Sequence, residues 1–121
     1  MTYTPSVLHE RADEREIVVL LESRSVAELN AADFLLKEFP DLTPPIFWFA
    51  RIKATVEGIG DGTLMMQRVC HHLDSMGATA VNGINPYGKR DLQELIGFFG
   101  LFGFELGDGC EDTVIRKPNN L

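Results

Sequence analysis

The stretch IFWFARIKATVEGIGDGTLMM, residues 46–66, decides how the rest of the chain is interpreted. It opens with an aromatic run that favours a β-strand, passes through a glycine-rich segment and ends in residues with helical spacing. The glycines let backbone N–H groups turn towards one point, and the first turn of the following helix adds donors there. The pattern predicts a strand, a loop and a helix beginning at Asp61 or Gly62. The loop is either a phosphate cradle or a plain connecting turn.

The glycine spacing argues against two common nucleotide sites. Gly58, Gly60 and Gly62 do not follow the G-x-G-x-x-G pattern of dinucleotide-binding proteins. The loop also lacks the Gly-Lys-Ser/Thr ending of a P-loop. A simple mononucleotide or NAD site is therefore disfavoured.

Length and composition indicate a soluble globular protein with a single domain over residues 1–121. An apolar content of 45% and a charged content of 24% are ordinary, and no apolar run approaches the ~20 residues of a membrane span. The N-terminus lacks a signal-peptide pattern, and Cys70 and Cys110 suit reduced thiols, so we expect a cytoplasmic protein. The net charge of −7 makes nucleic acid an unlikely partner.

The chain before this stretch is predicted to form antiparallel strands. Residues 3–11 suggest a short first strand, and residues 16–22 read as a strand buried on both faces, because a short run rich in β-branched residues is typical of one. Residues 26–36 would return antiparallel, with a strand favoured only slightly over a helix. The prolines of residues 39–45 indicate a loop.

After the stretch, apolar spacing predicts two helices and three strands. One helical stripe consists of Met65, Val69, Leu73 and Met76, and the helix should end at Gly77. Residues 78–84 then form a strand parallel to the one that opens the stretch at residue 46, because a helix between two such strands implies a crossover. Asp91 can cap a second helix with the stripe Leu92, Leu95, Ile96 and Phe99. Gly97 and Gly100 lie on the other side of this helix, where they would admit a close neighbour. Residues 104–106 and 113–116 are short strands.

Two motifs resemble those of the GNAT acetyltransferase family. Residues 57–65, EGIGDGTLM, resemble the Arg/Gln-x-x-Gly-x-Gly/Ala loop and helix start that bind the acetyl-CoA pyrophosphate in that family. Asn85-Pro86 and residues 98–104, FFGLFGF, resemble its Asn-Pro pair and closing Tyr-x-x-x-Gly-Phe segment. The order of predicted elements is also the family's. The resemblance implies an α+β fold: a GNAT-like mixed sheet with antiparallel N-terminal strands, a central parallel pair around the Gly-rich loop, and two or more helices.

The resemblance also implies a cosubstrate, acetyl-CoA, and an amine acceptor, either a small molecule or a protein. Family members splay their fourth and fifth strands, and pantetheine lies in the gap along the fourth. Transfer is usually a direct attack of the amine on the thioester. The residues implied to bind the cosubstrate are Phe49, Ala50 and Arg51 on the strand, Val56, Glu57, Gly58, Ile59, Gly60, Asp61 and Gly62 around the pyrophosphate, and Asn85 and Phe99 near the pantetheine.

Several residues depart from the family pattern. Thr55 stands where the family has Arg or Gln, and Glu57 and Asp61 place carboxylates in a loop meant for a dianion, although Asp61 can instead be the helix N-cap. Phe99 replaces the usual proton-donating Tyr, and the two N-terminal helices that wall the acceptor site have no counterpart. These departures keep a second hypothesis open, a non-catalytic GNAT-like module that binds CoA or a partner.

Two further expectations concern metals and assembly. Cys70, His71 and His72 are adjacent on a helix and point in different directions, so we expect no metal site. Phe98, Phe99, Phe102 and Phe104 are more aromatic surface than one helix face and one strand readily bury, so a homodimer is expected. By position alone, Glu28 and Asp41 are the candidates for a general base.

Overall fold

A computed structural model of the protein describes residues 4–55, 60–84, 92–107 and 112–119. Within those residues, one mixed sheet of seven strands is accompanied by three helices. The strands are β1 (Val7–Ala12), β2 (Glu16–Leu21), β3 (Val26–Ala31), β4 (Ile46–Lys53), β5 (Thr79–Gly83), β6 (Glu105–Leu106) and β7 (Thr113–Arg116). The helices are α1 (Leu35–Glu38), α2 (Asp61–Met76) and α3 (Leu92–Gly100).

The strands are arranged in the order β1-β2-β3-β4-β5-β7-β6. The pair β4 and β5 is parallel, and every other neighbouring pair is antiparallel. A parallel pair needs a crossover connection, which α2 provides. The predicted α+β class, with antiparallel N-terminal strands and a central parallel pair, is therefore confirmed.

The sheet has one face covered by helices and one largely open, called here the helical face and the second face. Phe47, Phe49 and Leu29 point to the helical face and share its core with α2 and α3. On the second face, α1 covers only a small cluster around Ile46 and Val81. Because side chains alternate between the two faces of a strand, Trp48 points to the second face. No described helix covers the remainder of the sheet on that face.

Helix α2 matches its prediction closely. Met65, Val69 and Leu73 are fully buried, as the stripe requires, and the helix begins at Asp61. It ends before Gly77, whose φ of 64° lies in the left-handed region and whose N–H bonds to the carbonyls of Leu73 and Asp74. In the described part of the chain, no helix is long and apolar enough to cross a membrane.

Two bidentate ion pairs fasten α2 to the sheet. Arg116 of β7 donates from both terminal nitrogens to Asp74, at 2.8 and 2.9 Å, and from Nε to the Phe102 carbonyl at 2.7 Å. Arg68 donates to both carboxylate oxygens of Glu10 on β1, at 2.6 and 2.8 Å. Hydrogen bonds from the paired arginines hold the pKa values of Asp74 and Glu10 below their usual range.

Several expectations about elements are corrected by the structure. Strand β2 is fully buried only at Ile17, Val19 and Leu21, because no described helix covers the other face of the sheet there. The returning arm is a strand only to Ala31, and the segment that follows turns into α1. No described atom lies within 4 Å of a Cβ built on Gly97 or Gly100, so neither glycine serves a close contact among the residues described.

Candidate functional site

The candidate site lies where β4 and β5 separate. Their parallel pairing covers Ile46 with Thr79, Phe47 with Ala80, and Trp48 with Val81, and then ends. Strand β4 nevertheless continues to Lys53 on its pairing with β3, and β5 continues to Gly83 on its pairing with β7. From Phe49 onward, the edge of β4 that faces β5 therefore has no strand partner among the described residues. An extended ligand would pair with N–H and C=O groups that lack a strand partner in the described part of the chain, as an added strand does.

A β-bulge marks the start of this separated half of β4. Leu29 pairs with Phe49 and Glu28 with Arg51, so Ala50 is an extra residue without a partner on β3. A bulge bends a strand and increases its local twist. Its position accounts for the departure of β4 from β5, and it leaves both Ala50 and Arg51 exposed at the gap.

The N-terminus of α2 follows the end of β4. Gly60 is exposed, with a φ of 98°, and its carbonyl accepts the first helical hydrogen bond, from Leu64 N–H, at 2.9 Å. The amides of Gly62 and Thr63 have no acceptor within the helix, as at every helix start, and the helix dipole adds partial positive charge. Gly60 is the N-cap, so the interpretation of Asp61 as the N-cap is wrong.

Asp61 is fully buried and holds the site together instead of facing a ligand. Its Oδ2 accepts hydrogen bonds from Ser23 Oγ at 2.6 Å and Ser25 Oγ at 2.5 Å. Ser25 Oγ also accepts the Thr55 N–H at 2.8 Å. These bonds join the β2–β3 turn, the end of β4 and the start of α2, and they tie together the two chain ends that flank residues 56–59. We call Ser23, Ser25, Thr55 and Asp61 the loop anchor.

Phenylalanine rings close the helical side of the gap. Phe99 of α3 is buried and packs edge-on against Phe49 of β4, with ring centroids 6.0 Å apart, and against Phe104 at 5.3 Å. Phe98 lies 5.6 Å from Phe99, and its Cζ is 3.4 Å from a Cβ built on Gly62. Phe98 of α3 therefore lies against the start of α2, at a distance where a Cβ on Gly62 would make an ordinary van der Waals contact.

Seven of the residues predicted to bind the cosubstrate can be placed. Phe49 and Phe99 are in ring contact, Ala50 and Arg51 line the edge of β4, and Gly60, Asp61 and Gly62 start α2. The other five lie outside the described residues, so their predicted roles stay predictions: Val56, Glu57, Gly58, Ile59 and Asn85. The candidate bases are not at the gap edge: Glu28 is half-buried on β3 opposite Arg51, and Asp41 is exposed before β4.

Sequence reasoning missed the loop anchor and both ion pairs. Ser23 and Ser25 precede Asp61 by 38 and 36 residues, and no local pattern links positions so far apart. A Ser-x-Ser turn between two strands was the only signal, and such turns are common. The structure places the Cys70 thiol in a buried position, and this burial raises its pKa. The described residues contain no group of metal-ligating side chains.

Comparison of the chain with models of protein families, with curated proteins and with solved structures finds no match.

Proposed function

We propose that the protein is an acetyl-CoA-dependent N-acetyltransferase of the GNAT type. The observation that carries this proposal is the separation of β4 from β5 after three residue pairs, directly before the loop and helix start of α2. The resemblance of the sequence implies a gap of this kind for pantetheine. Strand β4 is the fourth strand of the chain and β5 the fifth, which is where the family opens its sheet.

The residues present suit acetyl-CoA. Pantetheine carries two amide groups, which can hydrogen-bond to the free edge of β4 from Phe49 to Arg51 as an added strand would. The pyrophosphate would meet the amides at the start of α2, including those of Gly62 and Thr63. The Asp61 carboxylate is buried and accepts hydrogen bonds from the serines of the loop anchor, so it does not occupy the place of the pyrophosphate. Exposed Arg51 and Lys53 supply positive charge at the same end of β4.

The reaction would transfer the acetyl group from sulfur to nitrogen. The neutral amine nitrogen attacks the thioester carbonyl carbon, the carbon–sulfur bond breaks, and the products are an amide and CoA thiol after the nitrogen loses its proton. Phe99 can position the acyl end by packing but cannot protonate the leaving thiolate. General acid help is typically worth 10²- to 10⁴-fold in rate, so we expect slow turnover.

The second candidate function is a non-catalytic module that binds CoA or a protein partner. The buried position of Phe99 among three other rings favours it, because this cluster is apolar and lacks a proton donor. In addition, β1 is followed directly by β2, without the intervening helices that would form the wall of an acceptor site. Acetyl-CoA binding is predicted by the acetyltransferase and by a CoA-binding module, but not by a module that binds only a protein partner. Only the acetyltransferase predicts transfer.

The decisive experiment is titration of acetyl-CoA into the protein by calorimetry, followed by an acetylation assay on a panel of primary amines. We expect saturable binding and slow transfer. The variant Phe99→Tyr should raise turnover at least tenfold while keeping the affinity nearly unchanged, because the ring is retained and a proton donor is added. Phe102→Tyr, in the same ring cluster but in contact with Phe98 rather than β4, is the matched control and should show no gain.

The outcomes separate the two functions. Absence of acetyl-CoA binding would contradict the acetyltransferase and the CoA-binding module, and would leave only a module that binds a protein partner. Binding without transfer, in the natural protein and in Phe99→Tyr, would leave the non-catalytic module. A cytoplasmic location and independence from nucleic acid stay predictions of the sequence.

A further inference from the structure

The gap between β4 and β5 is reached from the second face of the sheet. On the helical face it is covered by Phe49, Phe99 and Phe104, which pack against one another. On β5, alternation places Gly83 on the same face as Val81, and it is exposed, with no described atom within 4 Å of a built Cβ. Among the described residues, the second face is the side of the gap that no ring or helix covers, and it is the approach left for a second substrate.

An aromatic pair stands on that face next to the gap. Trp48 belongs to the last residue pair before the strands separate, and 41% of it is exposed. Phe34, which is 59% exposed, meets it edge-on, with ring centroids 6.4 Å apart and an interplanar angle of 74°. Both rings are exposed and stand at an angle to each other. One bound group can therefore contact the face of one ring and the edge of the other.

The charges of the segment that carries Phe34 favour a cation. Phe34 lies in a segment where exposed Asp33, Glu38 and Asp41 outnumber the single Lys37. An ammonium group is attracted both by these carboxylates and by the face of an indole ring. The basic residues of the second face lie elsewhere: Arg51 is further along β4, beyond the bulge, opposite Glu28 on β3.

We propose that Trp48 and Phe34 form the acceptor subsite, and that the acceptor is a small protonated primary amine with an aromatic or aliphatic hydrocarbon group. This inference rests on the proposed acetyltransferase function. The hydrocarbon group packs on the two rings, and the ammonium group is held by the ring faces and the acidic segment. The ammonium group releases its proton to the surrounding water, and the neutral amine then attacks the thioester in the gap, one strand position from its binding site.

The subsite can be tested without acetyl-CoA, because Trp48 is the only tryptophan of the sequence and its fluorescence reports directly on the pair. Phenethylammonium chloride should change the emission saturably. Sodium phenylacetate, which has the same ring and the opposite charge, should not. The variant Phe34→Ala keeps the reporter and should weaken phenethylammonium binding about tenfold, through loss of ring contact. Leu101→Ala, also highly exposed but on the segment after α3, is the matched control and should bind normally.

Three results would overturn the proposal: no saturable change with phenethylammonium, equal responses to the ammonium and the carboxylate, or unchanged binding in Phe34→Ala. An emission shift that depends on protein concentration alone would also overturn it, because a second copy would then cover the face. The proposed acetyltransferase function fails separately, if calorimetry finds no acetyl-CoA binding while the amine still binds at Trp48.

Discussion

At the scale of single residues, the least expected feature is a buried aspartate at a helix start. Asp61 accepts two serine hydroxyl bonds, and both serines lose an acceptor if the carboxylate is removed. We expect Asp61→Ala to lower the free energy of unfolding by about 2 to 4 kcal/mol, because buried groups left without partners are costly. Asp61→Asn should lose less, since its amide oxygen still accepts. Urea denaturation measures both, with exposed Asp33→Ala as the control.

Acetyl-CoA affinity distinguishes this role from a ligand-facing one. If Asp61 faced the pyrophosphate, Asp61→Asn would tighten binding and leave stability intact, because a repelling charge would be gone. A buried anchor predicts the reverse pattern, with lower stability and equal or weaker binding. A stable variant with tighter binding would therefore contradict the anchor.

The pair of Asp74 and Arg116 predicts acid sensitivity with a definite sign. Because the pKa of folded Asp74 lies below its unfolded value of about 3.9, its stabilisation is present above that pH and is lost as the pH falls through the folded value. Asp74→Asn should cost about 2 to 3 kcal/mol at pH 7, since the Arg116 side chain is only 8% exposed. It should also flatten the pH dependence of stability below about pH 4.

Urea denaturation across pH 2 to 7 checks this, with Asp33→Asn as a matched control on an exposed aspartate. The prediction fails if Asp74→Asn keeps the same acid dependence as the natural protein. The pKa of Glu10 is also lowered in the folded protein, by its hydrogen bonds from Arg68, so some acid dependence of stability should persist in Asp74→Asn.

At the scale of elements, the two ends of α2 are capped by glycines that allow a matched experiment. Gly60 and Gly77 both have positive φ, at 98° and 64°, so Ala at either position is strained by a similar amount, about 1 to 2 kcal/mol. Only Gly60 borders the loop and the gap. We expect Gly60→Ala to weaken acetyl-CoA binding at least tenfold, because a shifted backbone turns the amides at the helix start.

Gly77→Ala should lose comparable stability and bind normally. Calorimetry on both folded variants measures the difference, and equal affinities would remove the start of α2 from the site.

The same helix shows what sequence could and could not predict. Its limits at Asp61 and Met76 follow from local signals, namely apolar spacing and a glycine beyond its end. Strand β7 was likewise predicted at the bounds that the structure shows. The bulge at Ala50 and the bonds between Ser25 and Asp61 depend on which strands become neighbours, and that is set by tertiary packing. The helix at Leu35–Glu38 lay inside a run with mixed propensities, where one short turn left no periodic signal.

For the whole molecule, the open question is assembly. The expectation of a homodimer came from clustered phenylalanines, yet Phe99 and Phe104 are buried within the chain's own fold. What is left exposed beside them is Leu101, at 79%, and Leu106, at 46%. A dimer through this segment would cover both leucines at the edge of the sheet formed by β6.

We expect light scattering at micromolar concentration to show a dimer that Leu101→Asp converts to a monomer of unchanged stability, because so exposed a side chain contributes little to the fold. Each copy carries a net charge of −7, so added salt should strengthen the association by screening the repulsion. Leu8→Asp, on β1 at the opposite edge of the sheet, is the matched control and should stay dimeric. A monomeric natural protein would contradict the predicted dimer. Dissociation by Leu8→Asp and not by Leu101→Asp would place the interface elsewhere than Leu101 and Leu106.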